Sequence, residues 1–221
     1  MKTTRPAQPF FIGALTLGFL LGVALFFSKG VSLPCKVCYA AAWLSVMLFA
    51  LREKAYAPVA CALLLSAAGD AAGAAHRFLL QMFFFALAHV AYIRYFLPSA
   101  DYSSRRIALA AAVGSGALLF LFIGIVPHVA PAVERAGVML YGAVITVMLL
   151  SVLLYRGRCA AGFRCAALLF VFSDAAIAWN KFVAPIPAAD YWIMTTYYTA
   201  QYLFALLAVL AGGRNAAAAG R

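Results

Sequence analysis

The sequence predicts an all-α fold, a polytopic membrane helix bundle with eight transmembrane helices. Three observations lead there. Hydrophobic residues make up 67% of the 221 and charged ones only 10%, where a soluble domain carries about 25% charged residues. The mean hydropathy is +0.99, and a globule of this length would still need a wetted surface, so lipid is the solvent for most of this chain. Finally, eight apolar segments divide the sequence, each near the ~17–25 residues of a spanning helix.

The first segment, 10–27, follows Lys2 and Arg5 and so resembles a signal peptide. Phe27-Ser28-Lys29-Gly30 offers no small-x-small cleavage site, and the segment is read as an anchor. Segment 35–51 opens on Cys35-Lys36-Val37-Cys38 and closes before Arg52. Segments 56–74 and 162–179 are the weakest apolar runs because each carries an aspartate, Asp70 and Asp174. Segments 78–97, 106–126, 137–155 and 191–211 complete the set. Their glycines and prolines are tolerated because neighbouring helices satisfy the freed backbone groups. Residues 1–211 thus read as a single transmembrane domain, and the small, polar stretch 212–221 as a disordered tail.

Net charge is +11, but the basic residues come in ones to threes between apolar runs rather than gathered on one face. A phosphate-binding surface needs the latter, so no nucleic-acid partner is expected. The N-terminus, even-numbered loops and C-terminus hold 12 Lys and Arg against 5 in the odd-numbered loops. Both termini are therefore expected to be cytoplasmic, in a multi-pass protein of a bacterial inner membrane.

Cysteines suggest a redox role, which the loop parity weakens. Cys35 and Cys38 form a C-x-x-C at the outer start of the second segment, whereas Cys159 and Cys165 flank an inner loop. A thiol oxidoreductase needs its pairs within reach of one another. Zinc at the C-x-x-C would need two more ligands nearby, and none is evident.

Chemistry is better sought among the six acidic residues. Glu53, Asp101 and Glu134 fall in loops, and Asp190 suits the N-terminal end of the last helix as a cap. Asp70 and Asp174 differ, because an intramembrane carboxylate costs a few kcal/mol and normally faces the bundle interior or a wet cavity. The alternative for each is a structural partnership with an Arg, Lys or Tyr of a neighbouring helix. Their contexts match. Gly69-Asp70-Ala71-Ala72 and Ser173-Asp174-Ala175-Ala176 align without gaps, each followed by a basic residue and Phe, Arg77-Phe78 and Lys181-Phe182. The offset is 104 residues and four segments, so two parallel four-helix repeats are possible. Both aspartates lie one to two turns below the outer surface. His89, Tyr92, Tyr197, Tyr198 and Gln201 fall at comparable or greater depth in the helices that follow, as site residues, packing residues or an interfacial belt.

Gly69-Asp70, Ala88-His89-x-x-Tyr92, Ser173-Asp174 with Phe182, and Met194-x-x-Tyr197-Tyr198-x-Ala200-Gln201 together resemble the YhhN/TMEM86 family of integral membrane proteins, over about residues 30–210. Members characterised as lysoplasmalogenases cleave the vinyl-ether bond of lysoplasmalogens to a fatty aldehyde and glycerophosphoethanolamine or glycerophosphocholine. The resemblance implies Asp70 and Asp174 as the paired catalytic acids, a lysophospholipid substrate met in the bilayer, and no cofactor. Leu33-Pro34-Cys35-Lys36 departs from the Lys-Pro order expected at the second helix, where Lys36 is the carried-over cation.

Vinyl-ether hydrolysis protonates the alkene carbon, and water then attacks the oxocarbenium ion. One protonated and one ionised carboxylate meet those needs, as in glycoside hydrolysis. Arg77 and Lys181 can take the anionic phosphate or snorkel to the interface. A competing mechanism makes Asp70, His89 and Asp174 zinc ligands. Two other classes stay open: a proton-coupled small-molecule or lipid transporter, since intramembrane carboxylates and repeated halves serve that role too, and a structural or lipid-sensing membrane protein. Oligomeric state is not legible.

Overall fold

The computed structural model describes residues 7–29 and 36–212. Lys2, Arg5, Cys35 and the tail from residue 213, with its expected disorder, lie outside the described residues. Among the described residues the chain forms eight α-helices: α1 Ala7–Phe27, α2 Tyr39–Ala50, α3 Ala57–Ala74, α4 Phe78–Phe96, α5 Ser104–Leu119, α6 Ala132–Leu154, α7 Ala160–Phe182 and α8 Ala189–Gly212. Seven helices, counted with their flanking turns, are long and apolar enough to cross a membrane. The chain is a multi-pass integral membrane protein. Large side chains stand bare on its outside, Leu17 and Leu140 among them; lipid is the medium that tolerates this.

The second segment is shorter than expected. Its described part, Lys36–Ala50, is a three-residue 3₁₀ turn followed by the 12 residues of α2, roughly two-thirds of the ~30 Å hydrocarbon layer at ~1.5 Å per residue. Helix α2 turns Ala40, Ala41, Leu44, Ser45 and Leu48 inward. Gly22 of α1 admits it closely, since a Cβ there would stand 2.9 Å from the Ala40 backbone. Small residues at such contacts let membrane helices pack without a solvent-driven force.

Helix α3 packs along α4 and α7 along α8, while α8 also meets α2 and α3, and α4 meets α6. The main core lies between these helices around Tyr92, Phe96, Phe163, Phe170 and Phe204. A separate small cluster of Met82, Ile125, Val129 and Val138 joins α4, α6 and the end of α5. There α5 loosens into a π-helical turn at Phe120–Ile125 and a 3₁₀ turn at Val126–His128. Such π turns tend to occur at functional sites.

At one end of the bundle, guanidinium groups close helix C-termini. Arg158 donates to the Ala211 carbonyl at 3.0 Å and Arg164 to the Tyr155 carbonyl at 3.1 Å, which suits cations to the negative helix ends. Asp101 pairs with Arg106 at 3.1 Å and Arg156 at 3.6 Å. Cys159 lies at this end and Cys38 at the start of α2, at the other, so the cysteine motifs are split between the two ends. The end that carries Lys36, Arg77 and Lys181 holds the candidate site.

Candidate active site

Asp70 sits one turn before the end of α3, 5% exposed, and Tyr197 of α8 donates to its Oδ2 at 2.8 Å. Gly69 beside it makes room for a ring of α4: a Cβ there would stand 2.9 Å from Phe85. Four residues beyond Tyr197, on the same helix face, Gln201 accepts a hydrogen bond from Tyr92 at 2.7 Å through Oε1. Tyr92 and Gln201 are both fully buried. Tyr198 points elsewhere and donates to the Val37 carbonyl at 2.9 Å. Lys36 donates to the Ser28 carbonyl at 2.8 Å, a tie between α1 and α2.

Asp174 has a different company. Tyr141 of α6 donates to its Oδ2 at 2.5 Å. His89 Nε2 of α4 stands 3.0 Å from the Tyr141 hydroxyl and 3.6 Å from the same Oδ2. Because the Tyr141 hydrogen goes to Asp174, the hydrogen between Tyr141 and His89 must come from Nε2. A neutral imidazole then keeps its lone pair on Nδ1. That Nδ1 is buried without a partner in the structure, and His89 is 0% exposed.

Asp174 and Tyr141 line a cavity of about 270 Å³ between α4, the π turn of α5, α6 and α7. Its walls are apolar, Phe85, Leu121, Ile145 and Ala178 among them, and its few polar groups include Gln81 and Thr146. At the rim the rings of Phe78 and Phe182 meet edge-on at 5.6 Å. The Lys181 ammonium rides above them, 4.4 Å and 5.2 Å from the two centroids. Arg77, the residue before α4, is exposed beside Phe78.

The family model described as the YhhN family matches residues 24–208. The chain belongs to the YhhN family. Proteins named lysoplasmalogenase TMEM86B are similar over shorter stretches: 47% identity over 58 residues in Sus scrofa, 26% of each chain, and 44% over 63 residues in Homo sapiens, 28% of each. A human protein named lysoplasmalogenase TMEM86A shares 56% over 43 residues, 20% of this chain and 18% of its own. The matched stretches thus span about a quarter or less of these relatives. No solved structure matches the chain significantly.

In this YhhN-family chain the two aspartates do not share one pocket. Asp70 is absent from the cavity wall. Phe85, which lines the cavity, has its centroid 5.9 Å from that of Tyr197, and Phe170 meets both Tyr197, at 5.5 Å, and His89, at 4.9 Å, edge-on. These rings separate the carboxylates, so the expectation of a single wet pocket is corrected to an apolar cavity with one acid in its wall and another behind. The zinc alternative fares similarly: Asp70 takes Tyr197 while Asp174 takes Tyr141, and among the described residues no three His, Cys, Asp or Glu converge as a metal site would.

Of the other expected contacts, Lys181 stands over the rim rings of Phe78 and Phe182, Arg77 precedes Phe78, and His89 stands behind Asp174, though none of the three is in the cavity wall itself. Tyr92, Tyr197, Tyr198, Gln201 and Lys36 do not line the cavity. Sequence reasoning missed Tyr141, Gln81, Phe85 and Phe170. For Tyr141 a signal existed: it is the single Tyr of α6, about 14 Å from that helix's N-terminal end at ~1.5 Å per residue, close to the depth of Asp174 below the C-terminal end of α7.

Proposed function

We propose that this protein hydrolyses the vinyl-ether bond of lysoplasmalogen-type lysophospholipids, releasing a fatty aldehyde and a glycerophospho-head group, by acid–base catalysis with Asp174 and Asp70. The observation that carries the reading is an aspartate deep in the wall of an apolar cavity whose rim is cationic. An alkenyl chain suits the walls, and a phosphate suits Lys181 and Arg77. The spacing agrees. Lys181 lies seven residues beyond Asp174 on α7, about 10 Å along the axis. Seven bonds part a lysoplasmalogen's phosphorus from its outer alkene carbon, about 8 Å when extended at roughly 1.1–1.2 Å per bond, and the lysine stem spans the difference. No nucleophilic Ser or Cys is needed.

Asp70 completes the pair from behind Phe85, where its carboxylate offers negative charge to a cation forming in the cavity. The YhhN membership and the names of the partly matching relatives support the same substrate class. To this proposal belong the parallel repeat of two four-helix halves and the orientation in a bacterial inner membrane. With both termini cytoplasmic, the cavity would open towards the opposite leaflet.

The test uses purified protein in detergent with a defined lysoplasmalogen and no ion gradient. Mass spectrometry is expected to find the fatty aldehyde with wild type and none with Asp174→Asn. Failure of well-folded wild type to release aldehyde would overturn the reading and return attention to transport.

A further inference from the structure

The two carboxylates are not equivalent, and the hydrogen bonds around Asp174 separate the roles of its oxygens. Oδ2 accepts from Tyr141 at 2.5 Å and has His89 Nε2 at 3.6 Å. If the Asp174 carboxyl group carries a hydrogen, an oxygen held by a donated hydroxyl hydrogen is its carbonyl-like oxygen, and the acidic hydrogen belongs on Oδ1. Asp174 also lines the cavity, and Asp70 does not. His89 contributes from the second position: its Nε2–H donates to the Tyr141 oxygen at 3.0 Å, strengthening the bond that Tyr141 gives. Keeping an imidazole fully buried with Nδ1 unpaired is costly.

We infer that Asp174 is the proton donor of the hydrolysis, delivering from Oδ1, and that Tyr141, backed by His89, is the positioning residue that holds Oδ2 as the carboxylate forms. This rests on the hydrolase reading. The proton leaves Oδ1 for the outer alkene carbon, whose π pair forms the new C–H bond, and leaves an oxocarbenium ion beside the Asp174 carboxylate. A water oxygen adds to the carbon that bears the ether oxygen, and the water's proton returns to Asp174. The hemiacetal then breaks its bond to the glycerol oxygen: its hydroxyl proton passes to that oxygen, and the aldehyde C=O forms. One water is consumed and no proton is gained or lost overall. Negative charge on Asp174 exists only between the first step and the proton's return, so a donor on Oδ2 stabilises the transition state more than bound substrate.

The kinetic consequence is a split. Tyr141→Phe keeps the ring in the cavity wall and removes the hydroxyl, so kcat is expected to fall about 10- to 100-fold, the usual worth of one charge-assisted hydrogen bond, with KM within about twofold. His89→Leu is expected to lower kcat in the same direction, and His89→Gln, whose amide N–H can reach the tyrosine oxygen, to restore part of it. If His89 acts through Tyr141, the double variant His89→Leu/Tyr141→Phe is no slower than Tyr141→Phe alone. A Tyr141→Phe enzyme with wild-type kcat, or one impaired only in KM, would overturn the assignment while leaving the hydrolase reading intact.

A substrate-free measurement keeps the inference open to refutation even if aldehyde release fails. Infrared difference spectra assign the Asp174 carboxyl band as the one lost in Asp174→Asn. In Tyr141→Phe that band is expected to shift as the hydrogen bond to Oδ2 disappears. An Asp174 band that does not move between wild type and Tyr141→Phe would sink the proposed hold on Oδ2.

Discussion

Lys181→Gln tests whether the rim reads the phosphate. Glutamine keeps a polar side chain and removes the charge. Two interactions change. The ammonium over the Phe78 and Phe182 rings, at 4.4 and 5.2 Å, contributes about 0.5–1 kcal/mol at an exposed site, and its loss shifts stability only slightly. A charge-assisted contact with phosphate is worth about 1.5–3 kcal/mol when dry, but Lys181 is exposed, which brings it nearer ~0.2–1 kcal/mol. KM for lysoplasmalogen is therefore expected to rise by up to about 5-fold, with kcat little changed because the proposed chemistry lies about 10 Å deeper. The assay is initial-rate aldehyde release at low and high salt, repeated with a 1-alkenylglycerol that lacks the phosphate. The difference between wild type and Lys181→Gln should shrink with salt and vanish for the phosphate-free substrate. An equal effect on both substrates, or a fall in kcat with KM unchanged, would refute a headgroup role for Lys181.

Lys36 ties α1 to α2 through the Ser28 carbonyl, so Lys36→Met is expected to cost the stability of one hydrogen bond, about 0.5–1.5 kcal/mol, read as a lowered thermal midpoint; a large loss of kcat/KM would show that it contacts substrate. Gly69→Ala would put a Cβ 2.9 Å from the buried Phe85 ring. Overpacking of about 1–3 kcal/mol against a helix-propensity gain of ~1 kcal/mol leaves a net loss of up to ~2 kcal/mol, read as lowered thermal stability in detergent, and a stabilised variant would mean that the ring yields freely. The Ser103 amide, followed by Arg106 and Arg156, holds the Asp101 carboxyl below its ordinary value of 3.8. Its contribution is present above that value and fades as pH falls through the lowered one. The thermal midpoint of wild type minus that of Asp101→Asn should accordingly be positive near neutrality and shrink in acid; a difference flat with pH would contradict it.

The helices were legible because the bilayer sets their length and apolar character. The segment expected at 78–97 is observed at Phe78–Phe96, and that at 191–211 at Ala189–Gly212. The largest difference at a helix start is α6, which begins at Ala132 rather than 137, since Glu134 and Arg135 read as loop yet lie in the first turn, with Arg135 donating to the Val129 carbonyl at 2.9 Å. The π turn of α5 left no trace, because its Phe-Leu-Phe-Ile-Gly-Ile run is as apolar as any α-helix. The aspartates stood out by the cost of their burial. Their partners did not, for a helix apolar on all sides does not reveal which neighbour it faces. Tyr141 thus passed for an ordinary membrane tyrosine, and the ring wall of Phe85 and Phe170 was indistinguishable from lipid-facing phenylalanine.

Electrostatics explains why the binding cations and the acid should stand apart. The proposed reaction generates a positive oxocarbenium ion beside Asp174. A lysine 4 Å away would oppose that charge by about 4 kcal/mol at an effective dielectric near 20, and one about 10 Å away by less than half as much. Lys181 and Arg77 at the rim can therefore hold a phosphate, whose own charge offsets theirs, without raising the barrier at the floor. Asp70 stands in the complementary position. Behind Phe85 it bonds to Tyr197 rather than into the cavity, so in the proposed mechanism it would not compete for the hydrogen on Asp174, while its field would act on the forming cation through a medium with little water to screen it. On the proposed mechanism, an apolar wall with one carboxyl group in it and another behind it would supply a proton and a negative field from separate residues, a division that a single shared pocket with both carboxylates hydrogen-bonded to each other would blur.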